Sequence, residues 1–472
     1  MITDASLPAA SSGLQKGALS WPMLAGLGIA CVVSGDWAGW NYGLAQGGFG
    51  GLLIAVGIVA LMYSCLCACM AEMATIETSA GGGAAFARRA FGPVGGFATG
   101  LAILLEYTAV PAAVAVFTTA AVLELAGIDT TTSGTWQFYV ALPVIHLFLL
   151  ALYSTGVQAA LGATVGAAAL STVGLLVFIG AVAPHVDKDK LFDIPAGPDG
   201  TTGHFLPFGV GGVFFAVPFA MWFFLAVEAT PLASEEAKDP ATALPRAMAT
   251  AMLVLGVLAL LILTLAPASV GSLAIADSPN PLIHALSLLY GGNQPLLVTV
   301  NLLSICGLLA SYASAVFAAS RLTYDLAREG YLPRQMAYTS ARYQAPILAT
   351  WLPGLVMLGL ALTGMGDQLI LVAVLGALLS YVLMMATFIG LRRLEPNTPR
   401  PFTAPLGGIA LAVVAIALSL MCLVAVFIQD VIIASSTVAG WLLCVLAFVA
   451  YQAYVRPAAY RPIVDASAST VQ

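Results

Sequence analysis

The chain has 472 residues, 60% of them hydrophobic and only 8% charged, with a net charge of −6 and a mean hydropathy of +0.98. Soluble domains carry about 25% charged residues, so the composition excludes a soluble globular protein and predicts a polytopic membrane protein. It offers no basic patch for nucleic acid. It also offers no metal cluster, nucleophile elbow or phosphate loop for an enzyme, because GGG at 81–83 lacks the strand and helix of a nucleotide site.

A membrane span takes about 20 apolar residues, and about twelve such runs follow one another. Residues 1–18 read as a polar tail without the cleavage pattern of a signal peptide. The first run, 20–44, contains Asp36, flanked by Gly35 and Gly39 and by Trp37 and Trp40. A charge near the bilayer midplane costs roughly 2.5–3.5 kcal/mol on insertion scales and usually faces a protein interior or a water-filled cavity. Glycine on both sides makes helix the weak choice there. The run therefore reads as an interrupted helix supplying half of a binding site. A plainer role for Asp36 is N-cap of the second half of the run.

Span 2 covers 48–71, with Glu72 and Glu77 beyond its end, and a glycine-rich loop with Arg88 and Arg89 follows at 79–93. Span 3, 94–122, carries Glu106 and Tyr107; a buried Glu106 needs a partner or a proton. Spans 4 and 5, 136–153 and 159–183, lie in a stretch without acidic or basic residues, and His146 in span 4 reads as a satisfied core histidine more readily than a proton relay. A polar loop at 184–207 precedes span 6, which starts near Gly209 and breaks around 227–231, where Glu228 and Pro231 sit. Glu235, Glu236, Lys238 and Asp239 then read as a solvated segment; the plainer alternative is that span 6 simply ends at Glu228. Spans 7 to 12 are 247–266, 296–320, 346–364, 368–391, 406–428 and 431–454.

The seven cysteines all lie in apolar runs and read as small packing residues rather than disulfides. Cys65, Cys67 and Cys69 point to different faces of a helix, which argues against a metal site. With these spans, 14 of the 16 Lys and Arg fall on one side, and only Lys188 and Lys190 on the other. The positive-inside rule makes the first side cytoplasmic, with both termini there. Interrupted spans 1 and 6, five spans apart, suggest an inverted repeat with its two breaks side by side at the midplane.

Four motifs carry a family resemblance: the glycine-rich break in span 1, SAGGGAAFARRAFGP, WFFLAVEATPLASEEAKDPATALPR, and ASRLTYDLAREGYLP. LLEY at 104–107 adds a fifth, weaker match. With them the chain resembles the amino acid–polyamine–organocation (APC) transporters, and within these the ethanolamine permease branch, through VSGDWAGWNYGLAQGGFGG and FFLAVEATPLASEEAKDP. The resemblance implies an all-α membrane fold of about 12 transmembrane helices, a 5+5 inverted repeat with discontinuous helices 1 and 6, plus two C-terminal helices. Its parts would be a tail at 1–18, repeats at 19–183 and 209–391, an extracytoplasmic loop at 184–208, helices 11 and 12 at 406–455, and a tail at 456–472.

The resemblance also implies import of a small amine, ethanolamine foremost, across a bacterial inner membrane by alternating access. An amino acid or polyamine permease or exchanger is the alternative. The implied binding set is Gly35, Asp36, Trp37, Gly39, Trp40, Trp222, Ala226 and Glu228, with Trp222, Glu228 and Glu106 in gating and proton coupling. Amino acid members of the family carry small neutral residues at the span 1 break, where backbone N–H groups receive the substrate carboxylate. Asp36 in that place repels a carboxylate and attracts an ammonium, and Trp37, Trp40 and Trp222 offer cation–π contacts of about 0.5–2 kcal/mol each. Trp222 would be a gate over substrate, or else a packed core aromatic. Glu228 would titrate beside the span 6 break, or else be a solvated helix-end carboxylate.

Proton-coupled relatives often carry a lysine in span 5, and this chain has none there. Ser171, Thr172, Ser311 and Ser314 offer hydroxyls for sodium instead. Proton coupling, sodium coupling, exchange and uniport are all compatible with the sequence. No cofactor or nucleic acid is expected, the surroundings are membrane lipid, and no oligomer is required. A channel would want a ring of like residues from several subunits, which an internal repeat with two breaks does not suggest.

Overall fold

The computed structural model describes residues 17, 19–128, 136–153, 157–195, 203–291, 294–340 and 345–454, with side chains left undescribed at 153–161 and at 454. Broken span 1 comprises α1 (Trp21–Val32) and α2 (Ser34–Trp37), then an irregular stretch. The next helix, α3 (Tyr42–Ile76), bends at Gly48, so 42–47 is the outer half of span 1 and the rest is span 2. Helix α4 (Gly83–Leu125) bends at Gly92, so most of the loop expected at 79–93 is helical and span 3 begins after the bend. Spans 4 and 5 are α5 (Trp136–Tyr153) and α6 (Val157–Val182).

Span 6 opens with α7 (Gly209–Met221) and resumes as a 3₁₀ segment, Val227–Glu236. Span 7 is α8 (Pro240–Val270), followed by two helices absent from the sequence reading, α9 (Ser272–Ile275) and α10 (Pro281–Tyr290). Spans 8 to 12 are α11 (Pro295–Arg328), α12 (Ile347–Ala361), α13 (Gly366–Leu394), α14 (Ile409–Gln429) and α15 (Val431–Tyr454). Among the described residues, eight helices are long and apolar enough to cross a membrane. The other four spans are those that are broken or short: 1, 4, 6 and 9.

The packing reveals the repeat. Among spans 1 to 10 the most extensive interfaces are α4 with α13, α3 with α7, α4 with α11, α6 with α11, and α1 with α8. In span numbers these are 3–10, 2–6, 3–8, 5–8 and 1–7. Exchanging every span n with span n+5 turns 3–10 into 8–5 and 2–6 into 7–1, and leaves 3–8 unchanged. An inverted five-plus-five repeat has this pairing, with α4 and α11 on the pseudo-axis. Small residues permit the close crossings, because a Cβ on Gly47 would stand 2.7 Å from the Gly212 carbonyl oxygen and one on Gly376 2.7 Å from the Glu106 nitrogen.

Arg88, Arg89, Arg321, Arg328, Arg392 and Arg400 gather at one end of the bundle, called here the basic face. Arg392 and Arg400 both pair with buried Glu72, which also accepts the Ala404 N–H, so the segment before α14 is pinned across spans 2 and 10. Arg89 bridges Glu77 and Glu395 at 2.9 and 2.8 Å, and its guanidinium holds the half-buried Glu395 carboxyl below its usual range. At the other end of α8, Lys190 donates to the Ser269 carbonyl.

Candidate functional site

Span 1 breaks later than its glycines suggest. The Ala38 N–H still donates to the Ser34 carbonyl at 3.2 Å, so Asp36 belongs to the last helical turn. The interruption falls on 38–41, where Ala38 is extended and Gly39 has φ +95°, a conformation that favours glycine. Asp36 is therefore not the N-cap of the next helix; Asn41 holds that position, without a capping side-chain bond.

Span 6 also breaks earlier than expected. Helix α7 stops at Met221 and the chain turns over 222–226, with Ala226 left-handed at φ +75°. A non-glycine residue in that region carries strain, which clusters at functional sites. Pro231 sits inside the 3₁₀ segment, so span 6 does not end at Glu228. Glu236 is not solvated: it is 2% exposed and pairs with the equally buried Arg321 at 2.8 Å.

The two breaks pack against each other. A Cβ on Gly35 would collide with the Trp222 carbonyl oxygen, and one on Gly39 would stand 2.7 Å from Trp222 Nε1. Gly35 thus earns its place by backbone contact rather than by breaking the helix. Three polar atoms at this junction are buried without a hydrogen-bond partner among the described residues: both carboxylate oxygens of Asp36, and Trp222 Nε1. An unpartnered buried group costs about 1–3 kcal/mol, more when charged. The other two tryptophans are occupied. Trp37 Nε1 donates to Ser171 Oγ at 2.7 Å. Trp40 Nε1 donates to the Asp36 carbonyl at 3.2 Å, and its ring stacks on Phe223 at 5.5 Å.

A second buried polar cluster lies across the span 6 break. Glu106 of α4 and Glu228 of the 3₁₀ segment are close electrostatic neighbours, both fully or nearly fully buried. Glu228 is thus a core group and not a solvated helix end, and it is the neighbour that sequence could not assign to Glu106. No hydrogen bond of good geometry joins the two, and both Glu106 oxygens and Glu228 Oε2 lack partners among the described residues. Tyr107 donates to Glu228 Oε1 at 3.4 Å, and Tyr63 and Tyr381 share a 3.0 Å hydroxyl contact nearby. Phe224, from the break itself, lies 5.8 Å from the Tyr63 ring.

The hydroxyls considered for sodium all hold internal bonds. Ser171 accepts from Trp37, Thr172 donates to the Ala168 carbonyl, and Ser314 to the Ala310 carbonyl. Ser34 donates to Ser311, which donates to the Cys31 carbonyl at 2.6 Å. His146 is satisfied, with the Gly354 carbonyl 2.7 Å from Nε2 and the Tyr312 hydroxyl 2.9 Å from Nδ1.

Contacts on the basic face close one side of the site. Asp325 receives Arg88 and Arg328 at 3.0 and 2.9 Å, and Arg328 also reaches Glu235. Glu235 accepts the Ala80 N–H, and Leu19 before α1 pairs in both directions with 236–238. The beginning of span 1, the 79–82 turn, the end of span 6 and the end of span 8 are thereby fastened together. On the opposite side, a cavity of about 20 Å³ beside Trp37 and Ala38 is large enough for only about one water, and Asn280 donates to Glu124 at 3.1 Å above it.

Asn41 escaped the sequence reading because a single asparagine beside aromatic residues gives no signal. Its Oδ1 accepts the Gly39 N–H at 3.2 Å, and its Nδ2 donates to the carbonyls of Ile275, Ala276 and Ser278 at 2.8–3.0 Å. One side chain ties the span 1 break to the segment carrying α9 and α10. Asn41→Ala removes these bonds and is expected to loosen that segment by about 1–3 kcal/mol. Hydrogen exchange over 271–290 should accelerate while α4 and α11 keep their protection.

The fold and this doubly interrupted centre define a membrane carrier of the inverted-repeat class. The sequence matches the amino acid permease family over residues 20–450, and the chain belongs to that family, within the APC superfamily. It is 27% identical over 375 residues to an uncharacterized transporter of Rhizobium meliloti (strain 1021), covering 78% of each chain. It is 25% identical to the methylthioribose transporter of Bacillus subtilis (strain 168), over 80% of this chain and 82% of that one. The branched-chain amino acid permease BcaP of the same organism is 25% identical over 43% of each.

Proposed function

We propose that the chain imports a small amine, ethanolamine foremost, by alternating access around the two breaks. The observation that carries this reading is the Asp36 carboxylate, buried at the span 1 break with both oxygens unpartnered. An ammonium placed there recovers the lost solvation through charge-assisted bonds, whereas a substrate carboxylate meets like charge. Trp222 Nε1, the other unpartnered group at the junction, is a donor suited to the hydroxyl oxygen of an amino alcohol. The binding set is Gly35, Asp36, Gly39, Trp222 and Ala226, with Trp37 and Trp40 fixing the turn and Glu106 with Glu228 carrying a proton. Transport runs inward across a bacterial inner membrane, with the basic face and both termini cytoplasmic, as the distribution of Lys and Arg supports.

The second reading is an amino acid or polyamine permease, favoured by the family to which the chain belongs and by the named specificity of one relative. Uptake into proteoliposomes, with proton and sodium gradients imposed separately, tests both. Labelled ethanolamine should be competed by ethanolamine and resist leucine, arginine and putrescine. Saturable uptake of leucine or arginine in place of ethanolamine overturns the amine reading. Accumulation driven by sodium alone overturns the proton.

A further inference from the structure

Away from the transport centre, an apolar groove of about 630 Å³ lies between α3 and α8. It runs from Ala71 to Val56 along α3 and from Pro245 to Leu260 along α8, with Phe402 and Pro405 at the basic end. Fifteen helical residues at 1.5 Å each give about 22 Å, more than one leaflet's half of the ~30 Å hydrocarbon core. The floor includes Phe224, the residue of the span 6 break whose ring packs on Tyr63.

Charge stands where the groove meets the basic face. Arg246 adjoins Pro245 and shares its helical face with the lining residues Ala249, Leu253 and Val257, at i, i+3, i+7 and i+11. Arg246 is exposed and takes part in none of the ion pairs among the described residues. An apolar trough of leaflet length headed by an uncommitted guanidinium matches a phospholipid: acyl chain below, phosphate above.

We infer that the α3–α8 groove is a binding site for one anionic phospholipid, its acyl chain against Phe224 and its headgroup on Arg246. The inference is independent of the substrate. Phe224 is the one lining residue that belongs to the span 6 turn, so a bound lipid would meet that break from the lipid side.

The test is native mass spectrometry and melting of the full chain in detergent, with phosphatidylglycerol or phosphatidylcholine added. The wild type should retain one phosphatidylglycerol and melt higher with it than with phosphatidylcholine. One cation near an anionic headgroup is worth about fivefold in affinity, so Arg246→Gln should lose that preference and high salt should weaken it. The groove itself is tested by filling it. At Gly57 and Gly256 a Cβ would meet no heavy atom within 4 Å, so G57L/G256L inserts side chains into open space. This variant should keep the wild-type melting temperature without lipid and retain no phosphatidylglycerol. Retention equal to wild type in the filled variant, or an undiminished preference in Arg246→Gln, overturns the site and reduces the lipid to an unspecific annulus. A filled variant that melts lower without lipid is replaced by Gly57→Leu alone, read by the same retention.

Discussion

Asp36→Asn is expected to weaken ethanolamine binding by about 30-fold or more. Removing one partner of a buried charge pair costs about 2–5 kcal/mol, much of it the penalty of leaving the other charge unpaired. The replacement keeps the size of the side chain and the helical turn, so the fold provides no competing explanation. It also removes a carboxylate that has no partner among the described residues, so the ligand-free protein should melt at the same temperature or higher. Loss of binding together with unchanged or raised stability distinguishes a ligand group from a structural one. Titration calorimetry and melting curves on the same preparation give both quantities. Near-normal affinity would remove Asp36 from the site, and a lower melting temperature would assign it a structural role.

The spans were legible because about 20 apolar residues in a row have one reading in a chain this poor in charge. The breaks were legible in kind but not in place. At span 1, glycines and a charge marked the region, yet after a one-residue interruption at Val33 a further helical turn, Ser34–Trp37, carries the chain past Asp36, and the Ala38 N–H still bonds the Ser34 carbonyl. Extended Ala38 and then Gly39, at φ +95°, end it. At span 6, Pro231 drew attention, but the turn falls on 222–226, in WFFLA, a run without glycine or proline. The left-handed Ala226 there is imposed by tertiary packing, and no local propensity announces it. Glu235 and Glu236 looked like a solvated run because their arginines lie some 90 residues downstream. The pairing of Glu106 with Glu228 was hidden for the same reason, as sequence separation says nothing about which spans touch. The ten-residue α10 fell below the length that marks a span.

Glu228→Gln carries the second large expected effect, on coupling rather than on binding. Glu106 and Glu228 share one buried site, and among the described residues no Lys or Arg pairs with either; Tyr107 donates to Glu228. Two ionised carboxylates so close repel strongly, and one proton shared between them relieves the repulsion. Such a pair titrates as a unit. Neutralising either member leaves the other with an ordinary buried environment and no reason to exchange its proton during the cycle. Glu228 lies two residues after the left-handed Ala226, so under the proposed function its protonation state would act on the span 6 break. In the wild type, uptake should rise as the external pH falls. In Glu228→Gln, the pH profile should flatten and gradient-driven accumulation should fall at least tenfold, while exchange of internal for external substrate persists. Glu106→Gln should reproduce this pattern, because the proton belongs to the pair. Full accumulation in both variants under a proton gradient would take coupling away from this pair. Retention in Glu106→Gln alone would assign the proton to Glu228 and leave Glu106 a positioning residue.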